Sequence, residues 1–280
     1  MKKARLSNGP SILVSAVWLI SFVIPGFIGA APTCDIGAIK AKLAAEDYRP
    51  ALTELDGCVL PKGKSRLQGL AYYGMFRADS TVFFLQIASK EGDQDDTVLT
   101  ALAETMLWGK EKSQVRELLD QVKDKHAPAY CKAMASFYVS KRQFPKALEM
   151  YDQALLTEKS PVTLFHKAML LSWMNRLNES LALYTKLIET DGLSKGFKVK
   201  CRIHRAEVIS WKKDLDQAAA ELRSVIEEEP KSLEARLGLG EILEWQGKYA
   251  EAKGQYRDVL LIDPENQASK QKLEKLLWVK

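Results

Sequence analysis

Pro230 and Pro264 lie 34 residues apart, and the runs Gln217-Ala218-Ala219-Ala220-Glu221-Leu222 and Glu251-Ala252-Lys253-Gly254-Gln255-Tyr256 precede them one period apart. A fixed period of this length constrains a chain more than its composition does. Each unit is one supersecondary motif that cannot bury its own apolar face and must stack on a neighbour. The register can be walked backwards. Ala206, Leu215, Ala218, Leu222 and Pro230 mark one unit, Ala168, Leu177, Ser180 and Tyr184 the one before, and Ala135, Phe144, Ala147, Tyr151 and Ala154 another. A four-residue excess around Leu193-Ser194-Lys195-Gly196 is housed in a loop. Upstream the pattern weakens: Ala103, Val115, Leu119 and Val122 still fit, residues 65–91 fit only as a shortened helix pair, and Ala44, Tyr48, Ala51 and Leu55 suggest a degenerate first unit. No alternating strand pattern or hairpin signal competes.

Leu239, Gly240, Leu243, Gly247, Tyr249, Ala252, Tyr256 and Pro264 closely resemble the tetratricopeptide repeat, and the resemblance covers roughly residues 34–265. In that pattern small residues sit where the two helices of a repeat cross, aromatics fill the groove, and proline stops the second helix. The resemblance implies an all-α chain: an α-solenoid of about six to seven stacked helix-turn-helix repeats with a C-terminal capping helix. The expected organisation is a leader over 1–30, degenerate repeats over 31–95, the repeat array over 96–265 and the cap over 266–280. Ala268, Lys270, Lys272, Leu273, Lys275, Leu276, Leu277 and Trp278 form an amphipathic pattern suited to covering the last repeat.

The first thirty residues read differently. Lys2, Lys3 and Arg5 lead into the apolar stretch Ile12 to Ile24, then Pro25, Gly26 and the small residues Gly29, Ala30 and Ala31. This is the order of a secretory signal peptide cut after Ala30. The alternative is an uncleaved anchor, since Ile12 to Ile28 is marginally long enough for a short span, and only then is membrane contact expected. Cleavage removes three positive charges and no negative ones, so the formal net charge falls from +5 to +2. A nearly neutral chain lacks the basic face that phosphate neutralisation requires, so nucleic acid is not an expected partner. Export permits disulfides. Cys34 opens the first helix and Cys58 closes the second, so an antiparallel pair brings them together as a predicted bridge. Cys131 and Cys201 fall in repeats that are not neighbours and read as buried thiols.

No metal-ligand spacing occurs, and the glycine pair Gly238 and Gly240 lies inside a predicted helix rather than at a phosphate-binding turn. His126, His166 and His204 have no nucleophile in register. The chain is therefore expected to be non-catalytic and without cofactor or metal. Trp108, Trp173, Trp211 and Trp245 all fall on the thirteenth position of their repeats, with Phe76 in that place in the shortened second one. That position shares a helix face with the ninth and fifth, the face that lines the concave side in tetratricopeptide proteins. The candidate groove is Trp108, Phe165, Met169, Trp173, Lys200, Ile203, Trp211, Leu237, Glu241 and Trp245. The alternative is that the indoles only pack the stack. Glu234, Glu241 and Glu244 make the last repeat acidic, and Lys200 with His204 lies in the repeat before. The expected function is a protein-binding scaffold in a bacterial envelope assembly, periplasmic or extracellular, taking a protein or peptide partner. A carbohydrate-binding accessory protein that uses the tryptophan row is the alternative. The carboxylate-clamp type of tetratricopeptide domain needs Asn and Lys where this chain has Phe165, Met169, Ile203 and Glu207.

Overall fold

The computed structural model describes residues 32–45, 47–60, 62–108 and 114–278; the leader read over residues 1–30 lies outside them. Among the described residues fifteen helices follow one another. They are α1 (Ile36–Ala44), α2 (Tyr48–Gly57), α3 (Lys64–Gly74), α4 (Ala78–Lys90), α5 (Asp96–Trp108), α6 (Val115–Gln121), α7 (Pro128–Ser140) and α8 (Phe144–Thr157). The array continues with α9 (Pro161–Trp173), α10 (Leu177–Glu189), α11 (Lys195–Trp211), α12 (Leu215–Glu228), α13 (Leu233–Trp245), α14 (Tyr249–Ile262) and α15 (Gln267–Lys275). The one extended pairing among these residues is an isolated bridge between Thr33 and Val59. Each helix packs on the next in the chain, and several odd-numbered helices also touch one another, α9 with α11 and α11 with α13 among them. The result is an all-α solenoid of seven helix pairs closed by α15. No described helix is long and apolar enough to cross a membrane.

Local chemistry explains where the helices begin. Ser160, Ser194 and Ser232 accept the backbone N–H of Thr163, Phe197 and Ala235 and so cap the first turns of α9, α11 and α13. These caps satisfy donors that a helix start otherwise leaves open. The turns inside repeats share one geometry. Phe76, Arg142, Asn175, Lys213 and Gly247 all take a left-handed backbone, with φ between 55° and 74°. The next N–H bonds back five residues into the first helix, as in Arg176 to Leu171 at 2.9 Å and Lys248 to Leu243 at 2.8 Å. This is the Schellman ending of a helix. Each return therefore costs one strained residue wherever glycine or asparagine is missing.

The interior is a string of clusters rather than one core. Leu181 packs against both the cluster of α9 to α11 and the one built around α11 to α15, and Tyr138 joins two clusters further upstream in the same way. Within a repeat the helices cross where one side chain is nearly absent. At Gly240 an added Cβ would come within 2.5 Å of the Tyr256 ring, and at Gly69 within 2.3 Å of Leu85. Ala168 plays this part opposite Tyr184, and there the Ser180 hydroxyl also donates to the Ala168 carbonyl at 2.8 Å. At the N-terminal end Cys34 and Cys58 form a disulfide with Cα atoms 5.0 Å apart, beside Ile39, Leu55 and Leu67. At the other end Leu273 and Leu276 of the α15 segment close the last cluster, while Leu277 and Trp278 remain exposed.

Two glycines in the last repeat test this account. Gly240→Ala is expected to lower stability by about 1–3 kcal/mol, because the Tyr256 ring must move. Gly254→Ala, in the same repeat but with nothing within 4 Å of the new Cβ, is expected to raise it by about 0.5–1 kcal/mol through helix propensity. Urea unfolding followed by circular dichroism reads both signs.

Candidate functional site

The first helices of the repeats lie along one side of the array, and their positions six, nine and thirteen line its pockets. The chemistry of that face changes along the array. In its middle a pocket of about 240 Å³ lies between α7 and α9, lined by Ser136, Ser140, Tyr151, His166, Met169 and Trp173 among others. His166 lies exposed at its edge, with the walls of the trough crowding the ring on its inner side. Desolvation, followed by the charges of Lys200 and Lys132, pushes its pKa down to about 4. The imidazole is therefore neutral at physiological pH. Trp173 is 47% exposed and leans on Phe144, with ring centroids 6.3 Å apart.

A larger cavity of about 430 Å³ opens between α11, α13 and α15. Ile203, Leu222, Leu237, Ile242 and Trp245 give it an apolar lining, and Trp245 is 55% exposed. Its polar rim is His204, Glu207, Ser210, Glu234, Glu241 and Lys272. The His204 ring sits between two carboxylates, with Nδ1 3.3 Å from Glu207 and Nε2 3.6 Å from Glu234. Those carboxylates approach opposite edges of the ring and do not converge on a common point. Lys272 reaches Glu241 and Glu244, each at 3.1 Å. Burial opposes its charge, but these two partners hold the ammonium above its usual pKa. Glu244 also accepts from the Tyr256 hydroxyl.

The structure distributes the residues singled out from the sequence among different environments. Ile203, Leu237, Glu241 and Trp245 meet in the larger cavity, and Met169 and Trp173 line the smaller one. Phe165 is not a groove residue. It is 2% exposed and packs edge-on to Tyr184 and His204, with the exposed Lys200 ammonium 5.0 Å above its ring. The reason is packing: the fifth position of α9 meets α11 beside it, so a ring there is covered. Trp211 is half buried against the cluster of α9 to α11, and the Trp108 side chain lies outside the described residues. Lys272 was missed as a wall of the cavity, because α15 follows the last full repeat and the period assigns it no groove position.

Among the described residues no group of three or more His, Cys, Asp or Glu side chains is placed to hold a metal ion. Desolvation raises the thiol pKa of both free cysteines, that of Cys201 to about 11, so they stay protonated and poorly nucleophilic.

The tetratricopeptide repeat family model matches residues 212–276. The Cut9–Hcn1 hetero-tetramer of the APC/C superposes with a TM-score of 0.69 at 10% identity, over 85% of this chain and 48% of that one. This chain thus spans about half the length of that relative. A tetratricopeptide repeat protein from Parabacteroides merdae superposes with a TM-score of 0.63 at 13% identity, over 86% of this chain and 97% of that one. At such identities the likeness concerns the fold. No curated protein matches the chain in sequence.

Two outcomes test the assignment of these side chains. Trp211→Ala is expected to cost about 2–3 kcal/mol of stability and Trp245→Ala less than about 1 kcal/mol, read by thermal unfolding. The neutral His166 stabilises the fold fully above pH about 6.5, where the unfolded imidazole is neutral too, and this contribution is lost as pH falls toward about 4. Between pH 7 and 5 the urea midpoint of the unaltered chain should therefore drop further than that of His166→Gln.

Proposed function

We propose that this chain, a tetratricopeptide repeat protein by its match over residues 212–276 and by its fold, is a non-catalytic scaffold of the cell envelope. It holds an extended segment of a protein partner along its inner face. Stacked repeats of this kind bind through such extended surfaces, and an unfolded peptide fits a trough whose pockets recur at the repeat spacing. One observation carries the reading: the cavity between α11, α13 and α15, where the half-exposed indole of Trp245 stands over an apolar floor with a charged rim. An exposed aromatic beside a concave apolar surface is what an interface needs at its centre. The leader-like order of residues 1–30 and the disulfide between Cys34 and Cys58 support an oxidising compartment outside the cytoplasm.

In-cell crosslinking of the full-length chain is expected to capture a single envelope protein, from a periplasmic fraction in which the chain begins at Ala31 by N-terminal sequencing. Trp173→Ala combined with Trp245→Ala should abolish capture while helicity by circular dichroism is unchanged, because both rings are about half exposed. The reading fails if the purified protein instead shifts its tryptophan fluorescence with peptidoglycan or exopolysaccharide fragments and no protein is captured.

A further inference from the structure

Resting on the scaffold reading, we infer that the cavity at the C-terminal end of the trough selects a basic side chain, arginine above lysine, carried by the partner's extended segment. The protein leaves negative charge uncompensated at the mouth of this cavity. Lys272 is divided between Glu241 and Glu244, at 3.1 Å from each. Among the described residues Glu207 and Glu234 have only the imidazole of His204 between them, at 3.3 and 3.6 Å. Even a protonated ring brings one positive charge to two carboxylates, so the mouth of the cavity keeps a net negative charge in either state. Glu207 and Glu234 are both exposed, which leaves them open to an incoming cation.

The shape of the site fits the same ligand. Leu237 and the exposed face of Trp245 offer an apolar wall for the methylene stem of a long side chain, with the carboxylates where its charged head emerges. The indole face itself attracts a cation. A planar guanidinium can stack on the indole while its N–H groups pair with one exposed carboxylate, which the compact ammonium of lysine does less well. The volume of about 430 Å³ accommodates one such side chain with its neighbours in the segment. The middle of the trough has a different character. There the pocket is lined by Ser136, Ser140, Tyr151, His166, Met169 and Trp173 and has no carboxylate in its lining, so the acidic rim belongs to the C-terminal end.

The test titrates the full chain at low salt with three end-blocked, fluorescein-labelled dodecapeptides. They share one leucine-alanine pattern and carry arginine, glutamine or glutamate at the same two positions. The arginine peptide is expected to bind about tenfold more tightly than the glutamine peptide, with the glutamate peptide weakest. Glu207→Gln with Glu234→Gln should bring the arginine peptide to within about twofold of the glutamine peptide and leave the latter unchanged. Should the double variant lose helicity, Glu234→Gln alone, at an exposed position, must narrow the preference in the same direction. Equal binding of arginine and glutamine peptides, a preference that survives the double variant, or no binding of any peptide each overturns the inference. Crosslinking in cells separates it from the reading beneath it. A partner still captured undiminished by the double variant leaves the scaffold standing and overturns arginine selection, whereas absence of any captured partner removes the scaffold itself.

Discussion

The close crossing of two helices inside each repeat is the contact on which the rest of this molecule depends. At Gly240 and Gly69 there is no room for a Cβ, because the ring of Tyr256 and the side chain of Leu85 already occupy the space. Ala168 opposite Tyr184 is the same arrangement with one more carbon. Such a crossing holds the second helix against the back of the first and leaves the front of the first helix free. A pair of this kind is still too small to be stable alone, since one side of each helix stays uncovered until the next pair arrives. The clusters that share Leu181 and Tyr138 show this dependence directly, because those residues belong to two units at once.

From this follows the trough. Several of the first helices touch one another along the array, and their outward positions form a surface that no second helix can cover. Its character is then set by a few side chains rather than by the fold. Around His166 desolvation, with smaller effects from Lys200 and Lys132, keeps the imidazole neutral. Near Trp245 the carboxylates of Glu207, Glu234 and Glu241 line the cavity.

Much of the fold was legible in the residues because period, small side chains and prolines act locally. The serines that begin α9, α11 and α13 are ordinary cap signals. The turns were legible only in part. Asn175 and Gly247 suit a left-handed residue, but Phe76, Arg142 and Lys213 do not, and their conformation is imposed by the crossing of the helices on either side. The tryptophan row shows a similar limit at the site. Trp173, Trp211 and Trp245 share one repeat position, yet two stand about half exposed and Trp211 packs into a cluster.

The sequence by itself determined the period, the all-helical class, the places where helices cross, and the proximity of Cys34 to Cys58. Each of these follows from spacing along one chain and from the size of single side chains. Only the tertiary structure decided that Phe165 is core, that Lys272 walls the cavity, and that His204 stands between Glu207 and Glu234. Burial and charge pairing depend on what neighbouring repeats place opposite a residue, and a repeat pattern states where a side chain points without stating what meets it there.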